Sequence, residues 1–258
     1  MSTLASVTFA FSALVAAYLL LPHFGLPMLL GRSGDADAVI YRYKLTIELE
    51  VDGEIKRGSS VVEVRNYTVA FPESAVRHGI TGEALYLDLG PGRKPLIVLL
   101  AKRDQSAAFR EGKAYRGWGP EQPNAILARG YNEAWPTPKK GESTDWFGFW
   151  QRLAGHRGAV ELSPDQLPEL VTFADVSNPK SAQVIDPGRI EVVLGPGVRW
   201  QRISIEITDE PVSSGIKERL TWLSAYSDRL LDGHRPGQLG DGSVASTLNT
   251  TYFYRGGH

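Results

Sequence analysis

Three carboxylates fall close together at the end of an alternating stretch: Glu206, Asp209 and Glu210. Carboxylates gathered at a strand end can bind a cation or divide the roles of general acid and general base. They form the first candidate binding site, and a hydrolase-like reaction there would use Asp209 and Glu210. A plainer role competes, because acids entering a following helix are favoured by the positive end of its dipole. The second candidate is aromatic. Trp146, Phe149 and Trp150 recur at helical spacing, with Phe147 beside them. Such rings either dip into lipid headgroups as an interfacial contact or form core beneath a long loop.

Other chemistries find little support. The five histidines, at 23, 78, 156, 234 and 258, show no HxH or HExxH spacing, so no metal centre is expected and each reads as a surface or loop residue. Cysteine is absent, which removes disulfides, thiolate ligands and thiol nucleophiles. Neither a GxSxG elbow nor an SxxK pair occurs. Gly90-Pro91-Gly92-Arg93-Lys94 superficially resembles a phosphate cradle, but proline has no N–H to offer and a strand pattern follows. No catalytic residue is assigned and no cofactor is expected. Asn66-Tyr67-Thr68 and Asn249-Thr250-Thr251 match the N-glycosylation pattern, a match that chance supplies often. Net charge is -1 with both signs interleaved, unlike the basic stripe of nucleic-acid binders.

The elements that would position these residues read mainly as strands. Tyr43, Leu45, Ile47, Leu49 and Val51 alternate with charged and polar neighbours, the pattern of a half-buried antiparallel strand. Asp52-Gly53 is a type I′ hairpin signal, and the returning strand should run to about Arg65. Gly58-Ser59-Ser60 within it predicts a bulge or a close backbone approach. A second hairpin pairs residues 84–89 with the apolar run 96–100 across Gly90-Pro91-Gly92, so residues up to Lys102 read as a four-stranded meander. Residues 103–145 turn to Gly, Pro and charge, with one helix capped at Asn124 and another opening at Ser143 to Asp145. Residues 170–173 read as a strand and 187–194 as a short helix with proline in its first turn. Gly195-Pro196-Gly197 leads into a strand carrying Ile203, Ile205 and Ile207. An amphipathic helix begins near Ser213 or Ser214 with Ile216, Leu220 and Leu223 inward. The glycine-rich stretch 233–243 is a loop, and 248–254 an edge strand.

The first thirty residues stand apart. Residues 4–30 carry no charge at neutral pH if His23 is neutral, and Arg32 is the first charged side chain. A hydrocarbon core of ~30 Å needs roughly 20 helical residues, so this is a transmembrane anchor over residues 1–31, embedded in lipid through residues 4–30. A cleaved signal peptide would want a basic start and a small-x-small exit, and Pro22 after Leu19-Leu20-Leu21 is a poor one. Residues 32–38 make a polar linker, and residues 39–258 one globular domain. Arg32, Arg42 and Lys44 after the segment place that domain in the cytoplasm by charge counting.

Three groups of residues carry a resemblance: 41–50 leading to 58–64; 170–173 with Asn178-Pro179-Lys180-Ser181; and 195–198 running through 202–212 to Gly215-Ile216 and Leu220-Thr221-Trp222-Leu223. Together they are similar to a family of uncharacterised alphaproteobacterial proteins with an N-terminal anchor or lipoprotein-type signal. The likeness spans most of residues 40–225. It implies a single-pass protein of the bacterial inner membrane with its soluble domain in the periplasm, against the charge count, and carries no catalytic residue across. The expected fold class is α+β: an antiparallel sheet, a sandwich being one arrangement of it, with a few packed helices. The expected role is a membrane-tethered, non-enzymatic binding or assembly module, acting alone or as an accessory subunit with protein partners in a membrane complex. The alternatives are an envelope hydrolase using Asp209 and Glu210, and a lipid-contacting domain using Trp146 and Trp150.

Overall fold

Period-two alternation builds the centre of the fold. In a computed structural model, which describes residues 38–69, 75–103, 122–137, 144–238 and 240–256, the first strand, β1 (Val39–Val51), buries Tyr41, Tyr43, Leu45, Ile47, Leu49 and Val51. Asp52 and Gly53 take positive φ values of 52° and 88°, as a type I′ turn requires. The chain returns as β2 (Glu54–Val69), in continuous antiparallel register from Val51↔Glu54 to Val39↔Asn66. No bulge interrupts this pair at Gly58. The alternative expectation holds there: a Cβ on Gly58 would lie 3.2 Å from Leu87 Cδ1, so the glycine admits a neighbouring strand's leucines.

The chain forms two compact units, one of residues 39–66 and 78–258, the other of residues 1–38 and 67–77. In the latter the described residues are Ala38 and the ends of β2 and of β3 (Ala75–Glu83). The predicted anchor, residues 1–31, and the linker up to residue 37 lie outside the described residues. Among those described, no helix is long and apolar enough to cross a membrane.

Among the described residues the remaining strands are β4 (Leu85–Leu87), β5 (Leu96–Val98), β6 (Val160–Glu161), β7 (Leu170–Phe173), β8 (Ala182–Ile185), β9 (Val198–Thr208) and β10 (Tyr254–Arg255). They form two antiparallel sheets, in the orders β10-β3-β2-β1-β9-β6 and β4-β5-β7-β8. The predicted meander is therefore corrected. Its two hairpins belong to different sheets, and β3 comes between them in the chain. The α+β class stands, with β-sheet dominant. Strand β9 pairs along the other side of β1 with a register shift at Glu48/Leu49, where Leu49 faces Trp200 and Glu48 faces Arg202. The extra residue is the exposed Gln201, and the burial alternation of β9 changes phase there.

Among the described residues four helices accompany the sheets: α1 (Gln122–Gly130), α2 (Trp146–Gly155), α3 (Glu191–Leu194) and α4 (Ile216–Arg219). The last two are shorter than predicted. Ile216, Leu220 and Leu223 are buried all the same, packed with Ile97, Val171, Phe173 and Phe253 in the core on the four-stranded sheet. The expected C-terminal strand shrinks to β10, after a 3-10 turn at Thr250–Tyr252.

Arg93 ties three turns together. Its Nη2 donates to Asp52 Oδ2 at 2.5 Å and its Nη1 to the Pro196 carbonyl at 3.0 Å, while Asp52 N–H donates to the Gly197 carbonyl at 3.1 Å. The Gly-Pro-Gly-Arg turn is thus a structural clamp. Overpacking at the close approach of the two sheets gives a direct test. Gly58→Leu should lower stability by about 1–3 kcal/mol, read as a shifted denaturant midpoint at unchanged m-value.

Candidate functional site

The predicted acidic cluster is drawn into the sheet's charged outer face. Glu206 stands opposite Lys44 in the β1–β9 register, and Lys44 Nζ donates to Glu210 Oε1 at 2.6 Å. Arg42–Glu63, Arg199–Glu50 and Arg202–Glu161 pairs continue the same pattern at 2.8, 2.5 and 3.1 Å. Asp209 is exposed. Neither Asp209 nor Glu210 enters a helix, since α4 begins only at Ile216. Glu210 instead serves a cross-strand ion pair, of a kind that contributes about 0–1 kcal/mol when solvated.

The aromatic helix forms as its spacing predicts. Asp145 Oδ1 caps it by accepting from Gly148 N–H at 2.8 Å. Phe149 and Trp150 are fully buried, so the membrane-contact reading is corrected for these two residues. They point inward because the apolar stripe of α2 packs on β1 and α1. Trp146 is half-buried, and Phe147 is 41% exposed.

Beneath this helix lies a polar network that sequence spacing did not reveal. Asn124 is not a cap. It sits inside α1, fully buried, and its Nδ2 donates to Asn66 Oδ1 at 2.8 Å while its Oδ1 accepts from the Tyr41 hydroxyl. His78 Nδ1 lies 2.5 Å from the same Asn66 oxygen. Burial pushes the His78 pKa down to about 4, so the ring is neutral at neutral pH. The same Nδ1 lies 3.1 Å from the Asn124 amide nitrogen, so a proton there is donated to the Asn66 oxygen, and a lone pair there accepts from Asn124. Burial likewise pushes the Tyr41 and Tyr43 hydroxyls up and keeps them protonated. The network joins β1, β2, β3 and α1. Asn66, one of the two glycosylation matches, is fully buried and so presents no acceptor surface. Two buried donors at this end, Asn66 Nδ2 and Trp150 Nε1, have no acceptor among the described residues.

The other described histidines are also held in place. His156 Nε2 lies 2.9 Å from Glu133 Oε1, its ring stacked on Tyr131 at 4.1 Å. Asp232, almost fully buried, accepts from His234 N–H and contacts His234 Nδ1, both at 2.9 Å. The Asp232-Gly233-His234 spacing was the available signal, two residues across a glycine turn. Among the described residues no group of three His, Asp or Glu side chains could hold a metal ion.

Among the described residues, a cleft of about 520 Å³ opens beside the start of β7 and the end of β8. Its apolar walls include Leu167, Leu170, Val184 and Ile185, and Lys102 and Arg103 line it from the segment that follows β5. Arg103 is fixed by a two-pronged pair: Nε and Nη2 donate to Glu169 Oε2 and Oε1 at 2.7 Å each. Its backbone N–H adds a bond to Oε2 at 3.0 Å, and Nη1 reaches Thr247 Oγ1 at 2.7 Å. With side chains only 11% and 8% exposed, this pair is a rigid, neutral part of the wall. Lys102 is exposed and makes no ion pair among the described residues. Asp165 and Asp186 keep their charge: the Ser163 hydroxyl holds the first below the usual carboxylate range, and the Gly188 N–H followed by Arg189 does so for the second. Apolar walls with a few fixed polar groups and a cleft of this size suit a ligand. The sequence hid this site because Arg103 and Glu169 are far apart in the chain.

Two measurements follow. Glu169→Ala strands the Arg103 charge and should cost about 3 kcal/mol or more in denaturant unfolding. The folded-state pKa of His78 lies below its unfolded value, so above pH ~6.5 both states are neutral. As pH falls from there towards 4, only the unfolded state gains the proton and stability drops. The loss is on the order of 1–2 kcal/mol after discounting for partial exposure, and ends below pH ~4. His78→Gln should flatten that segment of the stability profile. No protein-family model matches the chain, and no curated protein or solved structure shows significant similarity to it.

Proposed function

We propose that the chain is a membrane-tethered binding module whose soluble domain works by holding a ligand or partner rather than by transforming it. The observation that carries the reading is the cleft walled by the Arg103–Glu169 pair. Its geometry is fixed before anything binds, which lowers the ordering cost of association. Leucine, valine and isoleucine along the walls favour an occupant with an apolar body, and Lys102, Asp165 and Asp186 place both signs of charge around it. The tether is the uncharged segment 4–30, long enough to cross a bilayer once. The family resemblance favours a bacterial inner membrane with the domain on the periplasmic side, and an accessory role beside other membrane subunits.

Full-length protein taken from its membrane in mild detergent is expected to retain a small ligand or a polypeptide in native mass spectra. Val184→Arg inserts a long cation into the cleft from β8, at a half-buried position. It should weaken retention by about tenfold or more while the fold melts within a few degrees of the wild type. A bare wild-type monomer, or full retention by the variant, overturns the proposal.

A further inference from the structure

Packed neighbours connect the partly exposed aromatic residues to the start of β1. Trp146 is half-buried, with its ring 5.7 Å from that of half-buried Trp135 and 6.4 Å from that of Trp150. Phe147 follows it, 41% exposed. Trp150 meets His78 edge-on at 5.8 Å, and His78 bonds Asn66. Asn66 is the cross-strand partner of Val39, the first residue of β1. A short series of contacts therefore links Trp146 to Val39.

Tryptophan combines an apolar body with one N–H, the pairing enriched where hydrocarbon gives way to headgroups. The uncharged segment ends near residue 31, and linker 32–38 spans at most roughly 25 Å when fully extended. A bilayer that holds that segment therefore lies within that length of Val39, from which the contacts above lead to Trp146. Ile55, also exposed, pairs with Glu50 near the far turn of the same hairpin. By strand rise that is roughly 35–40 Å from Val39.

Resting on the tethered reading, we infer that Trp135, Trp146 and Phe147 form a docking patch for the bilayer that carries the anchor. Three exposed or half-exposed rings at the tether end lie down in the headgroup layer and set the orientation of the domain on the membrane. The partner is a lipid surface. The residues differ from those the helical spacing alone selects, because Phe149 and Trp150 are used inside.

The absence of cysteine makes the test direct, since Phe147→Cys and Ile55→Cys each create one labelling site. Both side chains are exposed, at 41% and 53%, so neither change touches the core. Full-length protein bearing an environment-sensitive fluorophore is reconstituted into phosphatidylcholine–phosphatidylglycerol vesicles, with or without brominated acyl chains. The label at 147 is expected to shift to the blue and to be quenched about threefold more strongly by brominated lipid than the label at 55. Equal quenching at the two sites, with the protein still held through an alkaline carbonate wash, overturns the docking patch and leaves the tether standing. Release by carbonate overturns both. A blue shift at 147 without lipid quenching marks a protein contact, a second copy of this chain included, and overturns the patch as well.

Discussion

Strand β1 is hydrogen-bonded along both of its edges, and everything else is arranged around that fact. Because β2 and β9 both pair with it, its side-chain alternation sets which face of three strands is dry. Tyr41, Tyr43, Leu45, Ile47, Leu49 and Val51 are each at most 6% exposed, and burying a large apolar side chain is worth ~1.5–3 kcal/mol. A slip of one residue would turn all six to water and drive Arg42, Lys44, Glu48 and Glu50 inward. The register is consequently the most strongly specified quantity in the molecule. Local features around it, such as the Asp52-Gly53 turn and the extra residue Gln201, refine the strand's course without changing its face.

That constraint explains why the polar network can exist at all. Tyr41 lies on the dry face, so its hydroxyl must find an acceptor within the protein, and Asn124 of α1 supplies one. Asn124 then needs a partner for its amide and finds it on β2, next to the β3 histidine. Satisfying one hydroxyl recruits four elements into one network. The Arg103–Glu169 pair applies the same rule at the other sheet, where a guanidinium removed from water is met by two carboxylate oxygens and a threonine.

Legibility in the sequence followed the range of the interaction. Alternation in β1 and β9, the turn at Asp52-Gly53, the strand Leu170–Phe173 and the cap at Asp145 all rest on residues within a few positions of each other. The stripe Ile216, Leu220, Leu223 was readable as a buried face although the helix beneath it closes early. Strand β3 escaped because Val76 and Ile80 stand among two glycines, a histidine and charge, without alternation. Asn124 passed for a cap because its actual partners, Tyr41 and Asn66, are 83 and 58 residues away. The acidic group at 206–210 is near in sequence, yet its relevant neighbour is Lys44 on β1. Separation in the chain, not weakness of the interaction, concealed the cleft and the network.

The wide sheet ends at both sides in strands of only two residues, β10 and β6. Long strands such as β1 and β2 would be dangerous at a border, where unpaired backbone groups invite a neighbour to add on. Those two are interior, but β10 pairs only with Gly82 and Glu83 of β3, and β6 only with Ser204 and Ile205 of β9, so the longer β3 and β9 make up most of the sheet's borders. Among the described residues, an added strand would therefore find its room along β3 or β9, beyond the reach of the short strands beside them.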